Sequence, residues 1–301
     1  MLPSLKPGQK IVVSGSVSNL GPAFDALSVA VGVYLTLEVL DVEPERTGRL
    51  ESEFAGGPGP SGENRILTGF QRAAARFGDP TPGLRVRVSS DIPMKAGLGS
   101  SSAATVAGIK LYEAATRARD LQDLMQIATT VEGHPDNAAA AFHGGLTLSC
   151  QTESGRIETL AWRWPDDLTF VVSTPAAELE TAFARTVLPA QVPLRDAVYN
   201  LQRALMLVRA LETGRYELLG ESLKDRWHQP ARQRFVPGLA EAIALEDPSI
   251  LGVCLSGAGP SVCTIARREH ARAAERAVAA IYQKLGVPCT IRTLSAHQPE
   301  R

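Results

Sequence analysis

Apolar positions along the chain recur in two periods, and polar residues concentrate where one period gives way to the other. Leu84, Val86 and Val88 alternate with Arg85, Arg87 and Ser89, which predicts a strand with one buried face. Residues 10–17, 31–40, 144–150, 156–160, 168–174, 251–255, 262–266 and 289–294 are further β-rich runs. Helical spacing predicts helices over 66–77 behind Asn64, and over 103–114 through Ala103, Ala104, Val106, Ala107, Ile109, Leu111 and Ala114. A third helix follows Asp120 as its cap, with Leu121, Leu124, Ala128 and Val131 on one face. A fourth covers 197–213, between a capping Asp196 and Gly214, with Leu201, Leu205, Val208 and Leu211 as its apolar stripe. Shorter helices are expected at 216–223 and 237–245, and a longer one at 269–285. Residues 43–63, rich in Gly, Pro and charge, read as a loop or hairpin tip. The second half is the more helical, and the loop at 162–167 is the expected boundary between residues 1–162 and 163–301.

A length of 301 residues exceeds what one core usually serves, so two packed domains are expected. The apolar share of 44% and charged share of 21% are those of an ordinary globular protein. A net charge of -1 supplies no broad attraction to nucleic acid or to an anionic membrane, so any bound phosphate must be held locally. Residues 1–8 carry no apolar run behind a basic end, and no later stretch approaches the roughly 18 apolar residues of a membrane span. A cytoplasmic protein with no nucleic-acid or membrane partner is expected. Cys150, Cys254, Cys263 and Cys289 form no Cys-x-x-Cys pair and the histidines no His-Glu-x-x-His motif, so the cysteines read as small buried hydrophobes. No Gly-x-Ser-x-Gly elbow marks a serine hydrolase.

The candidate chemistry sits in three polar stretches. Between the strand ending near Ser89 and the helix from Ala103 runs Pro93-Met94-Lys95-Ala96-Gly97-Leu98-Gly99-Ser100-Ser101-Ser102-Ala103. A glycine-rich strand-to-helix turn puts backbone N–H groups and the positive end of a helix dipole toward one point, where an anion can bind. It is neither a Walker A loop, lacking Gly-Lys-Ser/Thr, nor the dinucleotide fingerprint, since Ser102 stands at the third glycine position. Taken alone, a tight turn with a cap fits the glycines and serines as well. The second stretch is Ser18-Asn19-Leu20-Gly21-Pro22-Ala23-Phe24-Asp25, and the third is Glu132-Gly133-His134-Pro135-Asp136-Asn137, a short turn flanked by buried segments.

The loop, with its Pro-x-x-x-Gly-Leu-Gly-Ser-Ser pattern, resembles the phosphate-binding loop of the GHMP kinases. Asn19 through Asp25 and Glu132 through Asn137 are similar to segments of the homoserine kinase branch of that family, as are Glu180-Thr181-Ala182-Phe183-Ala184-Arg185 and Asp225-Arg226-Trp227-His228-Gln229-Pro230-Ala231-Arg232. The chain departs from the family at Ser18 for Ala, Ala23 for Gly, and Ala138 and Ala140 for Val and Pro. The resemblance implies an α+β, two-domain GHMP kinase fold. Its N-terminal domain would be like domain 2 of ribosomal protein S5, its C-terminal domain ferredoxin-like, and its site would lie between them. It implies ATP and Mg2+ as cofactors, with Pro93 to Ala103 at the phosphates, Ser101 and Glu132 at the metal, and Asn64 at the base or simply capping its helix. It further implies a zwitterionic amino-acid substrate, L-homoserine. Asp25 would meet its ammonium, Arg185 and Arg232 its carboxylate, and Asn19, Asn137 and Thr181 its hydroxyl, with Gly257 in the Ser-Gly-x-Gly-Pro turn beside it. Asp136 is the one candidate base, the alternative being proton loss to phosphate or solvent. Another GHMP substrate or a non-catalytic relative would share the loop, and the assembly, monomer or homodimer, stays open.

Overall fold

A computed structural model describes residues 5–56, 59, 62–177, 179 and 181–298. Among the described residues, ten strands form two sheets. The first holds β1 (Lys10–Ser18), β2 (Leu27–Glu43), β3 (Leu50–Phe54), β4 (Gly83–Ser90), β5 (Leu146–Gln151) and β6 (Ile157–Trp162), in the order β3-β4-β2-β5-β6 with β1 on β2. β2 is the spine: at 17 residues it pairs antiparallel with β1, β4 and β5 along successive parts of its length. Its start is buried on both faces, while its later half alternates. That alternation is what left only 31–40 recognisable as strand.

The stretch expected to be loop contains β3, whose Leu50–Phe54 runs parallel to β4 in register with Leu84–Val88. Three consecutive polar residues, Glu51, Ser52 and Glu53, and nearby glycines hid this edge strand. The helices α1 (Arg65–Phe77), α2 (Ser100–Ala115), α3 (Leu121–Glu132) and α4 (Asp136–His143) cover the sheet. α2 is buried around most of its circumference, from Ser102 and Ala103 through Leu111 and Ala115. Asp120 caps α3 through the Gln122 amide as expected, but Leu121 stays exposed. Gly133 ends α3 in a left-handed conformation, and Asp136 and Asn137 open α4 instead of completing a turn.

The second sheet has the antiparallel order β10-β7-β9-β8, built from β7 (Leu168–Pro175), β8 (Gly252–Leu255), β9 (Val262–Arg267) and β10 (Cys289–Leu294). Between β7 and β8 lie α5 (Thr181–Thr186), α6 (Leu194–Thr213), α7 (Leu219–Ser222), α8 (His228–Arg232) and α9 (Leu239–Ile243). α10 (Ala271–Leu285) joins β9 to β10. Read from β7 as the first strand, the order is fourth-first-third-second, the ferredoxin-like arrangement. α6 begins at Leu194 behind Pro193, with Asp196 inside its first turn and not its cap. Its buried residues are Asn200, Leu207, Ala210 and Leu211; of the expected stripe Leu211 is buried and Val208 packs against the core, whereas Leu201 and Leu205 are 60% and 64% exposed, so the N-terminal half of that stripe is turned outward. Cys254 and Cys263 are buried in the sheet, but Cys150 is exposed.

The chain passes between the sheets at 163–167, and its end returns: His297 donates to Ala30 O and accepts from the Gly145 amide through its carbonyl. One continuous apolar core contains Val13, Val17 and Leu35 with Phe170, Leu207 and Leu294. The two sheets therefore share buried surface, which fixes the facing loops against each other.

Candidate active site

The loop between β4 and α2 presents the start of α2 without a side-chain cap. Gly99 holds the cap position at φ 71° and makes no side-chain cap bond to the helix. The first amides of the helix and its dipole suit an anion. Behind them the Glu132 carboxylate accepts from Ser101 Oγ at 3.1 Å, Ser102 Oγ at 2.9 Å and Thr105 Oγ1 at 2.8 Å. Ser101 and Glu132 are thus together, as expected, and Ser101 is the exposed one of the three hydroxyl residues. Met94 and Lys95 lie on the exposed side of the loop, with Lys95 in the left-handed region at φ 52°, and Pro93 is half-buried. The side chains of Ala96, Leu98, Ser102 and Ala103 are buried and support the loop from beneath. Ser100, half-buried, opens α2. Asn64 caps α1, its Oδ1 accepting from the amides of Ile66 and Leu67, so only its Nδ2 is left for a base.

Gly97 and Gly99 are required by protein contacts as much as by any ligand. A Cβ on Gly97 would lie 2.3 Å from Ser256 O, and one on Gly99 2.2 Å from Ser16 Oγ and 3.1 Å from Asn137 Oδ1. Ser16 Oγ donates to that Asn137 Oδ1 at 2.7 Å, which turns the Asn137 NH2 the other way. The β4–α2 loop and Asn137 are therefore packed on one hydroxyl.

Across from the loop, residues 19–25 adopt a strained course, with Asn19, Leu20 and Asp25 at φ 72°, 36° and 56°. Asn19 holds it, its Oδ1 accepting from the Asp25 amide and its Nδ2 donating to Gly257 O at 2.9 Å. Asp25 receives a two-pronged bond from Arg185, with Nη1 to Oδ2 at 3.0 Å and Nη2 to Oδ1 at 2.8 Å. Arg232 is 2% exposed and donates from Nε to Ala184 O and from Nη1 to Gly257 O. Both guanidinium groups flank the Phe24 ring, at 5.3 Å for Arg232 and 5.4 Å for Arg185. Burial, then repulsion by Arg185, lowers the Arg232 pKa to about 10 against the pull of Asp25 and Asp225, which leaves it cationic at neutral pH. Thr181, exposed, opens α5 one turn before Arg185. Glu180 lies outside the described residues.

α8, which carries Arg232, is set by Asp225. Its carboxylate accepts the amides of Trp227, His228 and Gln229 and the Asn200 Nδ2. His228 is buried, and burial holds its pKa below the ordinary histidine value despite Asp225. Neutral, it donates from Nε2 to Gly21 O at 2.7 Å, which leaves Nδ1 as acceptor for Arg232 Nη1 at 3.3 Å.

His134 Nδ1 and Asp136 Oδ1 are 2.6 Å apart. Burial alone would depress the histidine and raise the acid. Their mutual hydrogen bond and charge reverse both, so His134 is raised and Asp136 lowered. Ligand-type atoms of Asp25, His134 and Asp136 lie within 4.8 Å of one another. Each carboxylate there already has a cationic or imidazole partner, so the cluster is an ion-pair assembly.

The GHMP kinase N-terminal domain model matches residues 64–145 and the C-terminal model residues 207–284. A homoserine kinase of Thermus thermophilus is 38% identical over 90% of this chain and 91% of its own. The chain belongs to the GHMP kinase family. A homoserine kinase of Moorella thermoacetica is 36% identical, covering 94% of this chain and 95% of the relative. The solved homoserine kinase of Cytophaga hutchinsonii superposes with a TM-score of 0.83 at 25% identity, over 99% of this chain and 98% of that one. The two-domain GHMP fold is thereby shown. Within this GHMP kinase, Ser16, Thr105, Asn200 and Asp225 hold site residues in place without having been singled out. Asp225 belongs to one of the segments similar to the homoserine kinase branch, and its place before a short helix is a capping signal. Ser16 and Thr105 give no such signal, because their partners lie 121 and 27 residues away.

Proposed function

We propose that the chain transfers the γ-phosphoryl group of ATP to the side-chain hydroxyl of L-homoserine, giving O-phospho-L-homoserine for threonine synthesis. One observation carries the substrate class. Arg232 is a buried cation that no carboxylate pairs among the described residues, beside the only partly buried Asp25. Buried charges are ordinarily paired, so this guanidinium calls for an anionic ligand group. With Asp25 for an ammonium, the pocket fits an amino acid better than a sugar. Relatives named homoserine kinase support the same substrate.

The amides opening α2 suit the ATP phosphates, and Asn64 sits where α1 could border the base. Glu132 and Ser101 would hold magnesium, which when bound neutralises phosphate charge during transfer. Asn137, turned by Ser16, and Asn19 can orient the hydroxyl, and Thr181 stands at the rim. Asp136, its proton affinity lowered by His134, is a poor base, so we assign the hydroxyl proton to the transferred phosphoryl group or solvent. We place the domain boundary at 162/163 and the protein in the cytoplasm. Leu194, Val198, Leu201 and Leu205, exposed along α6, support a homodimer, which sedimentation as a single 32.1 kDa species would refute.

Coupled ADP release, measured across homoserine, mevalonate, galactose and threonine, should be fastest with homoserine. Higher kcat/KM on mevalonate or galactose would sink the proposal.

A further inference from the structure

Glu132, the last residue of α3, puts its carboxylate at the negative end of that helix dipole. Its side-chain partners among the described residues are three neutral hydroxyls of α2. Oε1 accepts from Ser101 at 3.1 Å and from Thr105 at 2.8 Å, while Oε2 accepts from Ser102 at 2.9 Å. A carboxylate offers about four acceptor positions, two on each oxygen, so Oε1 is filled and Oε2 keeps one open. The donors differ in access: Ser101 is exposed, whereas Ser102 and Thr105 are buried. Thr105 is also fixed from behind. A Cβ on Gly69 would lie 2.1 Å from Thr105 O, so the backbones of α1 and α2 touch at this residue. A helical threonine commonly turns its hydroxyl back to the carbonyl four residues earlier, yet here it reaches α3.

A carboxylate beside a hydroxyl suits a hard divalent cation, and the way its oxygens are occupied bears on which one. The narrow bite of a two-oxygen grip fits the loose, many-membered shell of calcium and not the near-ideal octahedron of magnesium. We propose, resting on the assignment of Ser101 and Glu132 to magnesium above, that Thr105 is a positioning residue that sets the cation selectivity of this site. By filling Oε1 it leaves Glu132 one-oxygen ligation through Oε2, which serves magnesium and handicaps calcium. Ser101 keeps its own lone pairs while donating, so it can act as a ligand without vacating Oε1. Ser102 steadies Glu132 but does not discriminate, because Oε2 is the oxygen with a position open.

The test measures binding without turnover. Titration calorimetry with the β,γ-imido analogue of ATP, in EDTA, in Mg2+ and in Ca2+, gives the factor by which each cation tightens the nucleotide. In the wild type that factor should be larger for Mg2+. In Thr105→Val the affinity in EDTA should stay within about twofold and the magnesium factor should fall by about tenfold, while the calcium factor holds or rises. Thr105→Ser, which keeps the hydroxyl, should retain the wild-type preference. Ser102→Ala should lower both factors together and leave their ratio within about threefold. Should Thr105→Val fail to fold, Thr105→Ala, which only removes atoms, carries the same prediction. Weaker binding of Thr105→Val in EDTA would show that the hydroxyl supports the nucleotide loop itself. That result, equal or absent changes in the two factors, or a wild type that responds alike to both cations, would overturn the proposal. No tightening by either cation in the wild type would instead remove the metal from Glu132, a separate outcome that fails the magnesium reading itself.

Discussion

At the residue scale, neutrality of His228 is what lets Arg232 keep its place. The imidazole offers Nδ1 to the guanidinium, and a protonated ring would put two cations 3.3 Å apart in a buried site. Burial lowers the His228 pKa in the folded protein, while the unfolded chain takes the ordinary value of about 6.5. Below that pH the unfolded state binds a proton that the native state refuses, so stability must fall as pH falls. The slope approaches about 1.4 kcal/mol per pH unit until the folded-state pKa is reached. Urea denaturation of wild type and His228→Gln at pH 7 and pH 5.5 should show a smaller pH dependence in the variant. Equal slopes would mean that His228 takes up its proton as readily in the fold as in the unfolded chain. The signals that were legible at this scale were local ones: the glycines of the loop, Asn19 and Asp25 among turn residues, and the acidic and amide groups after Val131. Ser16 and Thr105 were not, since a serine in a strand and a threonine in a helix announce nothing until folding brings Asn137 and Glu132 against them.

At the scale of elements, the strong periodic segments were readable and the compensated ones were not. β4 showed its alternation because one face meets water, whereas the start of β2 is buried on both sides and has no period to detect. α6 misled for a different reason. Its apolar residues follow two stripes that converge toward its C-terminal end: Leu201 and Leu205 of the expected stripe face outward, while its Val208 and Leu211 meet the core together with Leu207 and Ala210. Asn200 on the buried side would be costly there without partners, and it has them: Nδ2 bonds Asp225 Oδ1 at 2.6 Å and Oδ1 accepts the Arg226 amide at 3.0 Å. This is how α6 sets α8 and hence Arg232. Asn200→Ala should cost about 1–3 kcal/mol of stability. It should also raise KM for homoserine several-fold with KM for ATP little changed, because α2 and its loop touch none of these groups. Parallel increases in both KM values would show that the network serves general packing and not the position of Arg232.

At the scale of the whole molecule, the site depends on a seam between loops of different sheets. Ser256 Oγ donates to Gly97 O at 2.7 Å, and the Ser261 amide donates to Ala96 O at 3.2 Å. The β8–β9 turn that presents Gly257 O to Asn19 and Arg232 is thus bonded to the loop proposed for ATP. The family resemblance made both ends of this seam visible in the sequence, but not that they touch. A methyl group on Gly97 would meet Ser256 O at 2.3 Å and Gly259 O at 2.8 Å, both backbone atoms that no rotamer change can move. Gly133 is the natural control: its φ is 82° against 76° for Gly97, yet nothing lies within 4 Å of its would-be Cβ. Gly133→Ala should therefore cost only the left-handed backbone penalty of about 1–2 kcal/mol. Gly97→Ala should add an overpacking cost of about 1–3 kcal/mol and, by pushing the seam apart, raise KM for ATP and homoserine together. Thermal unfolding and steady-state kinetics on the two variants separate strain from clash. Equal stability losses, or a Gly97→Ala enzyme whose defect is confined to one substrate, would show that the two loops bind their ligands independently and that the seam does not couple them.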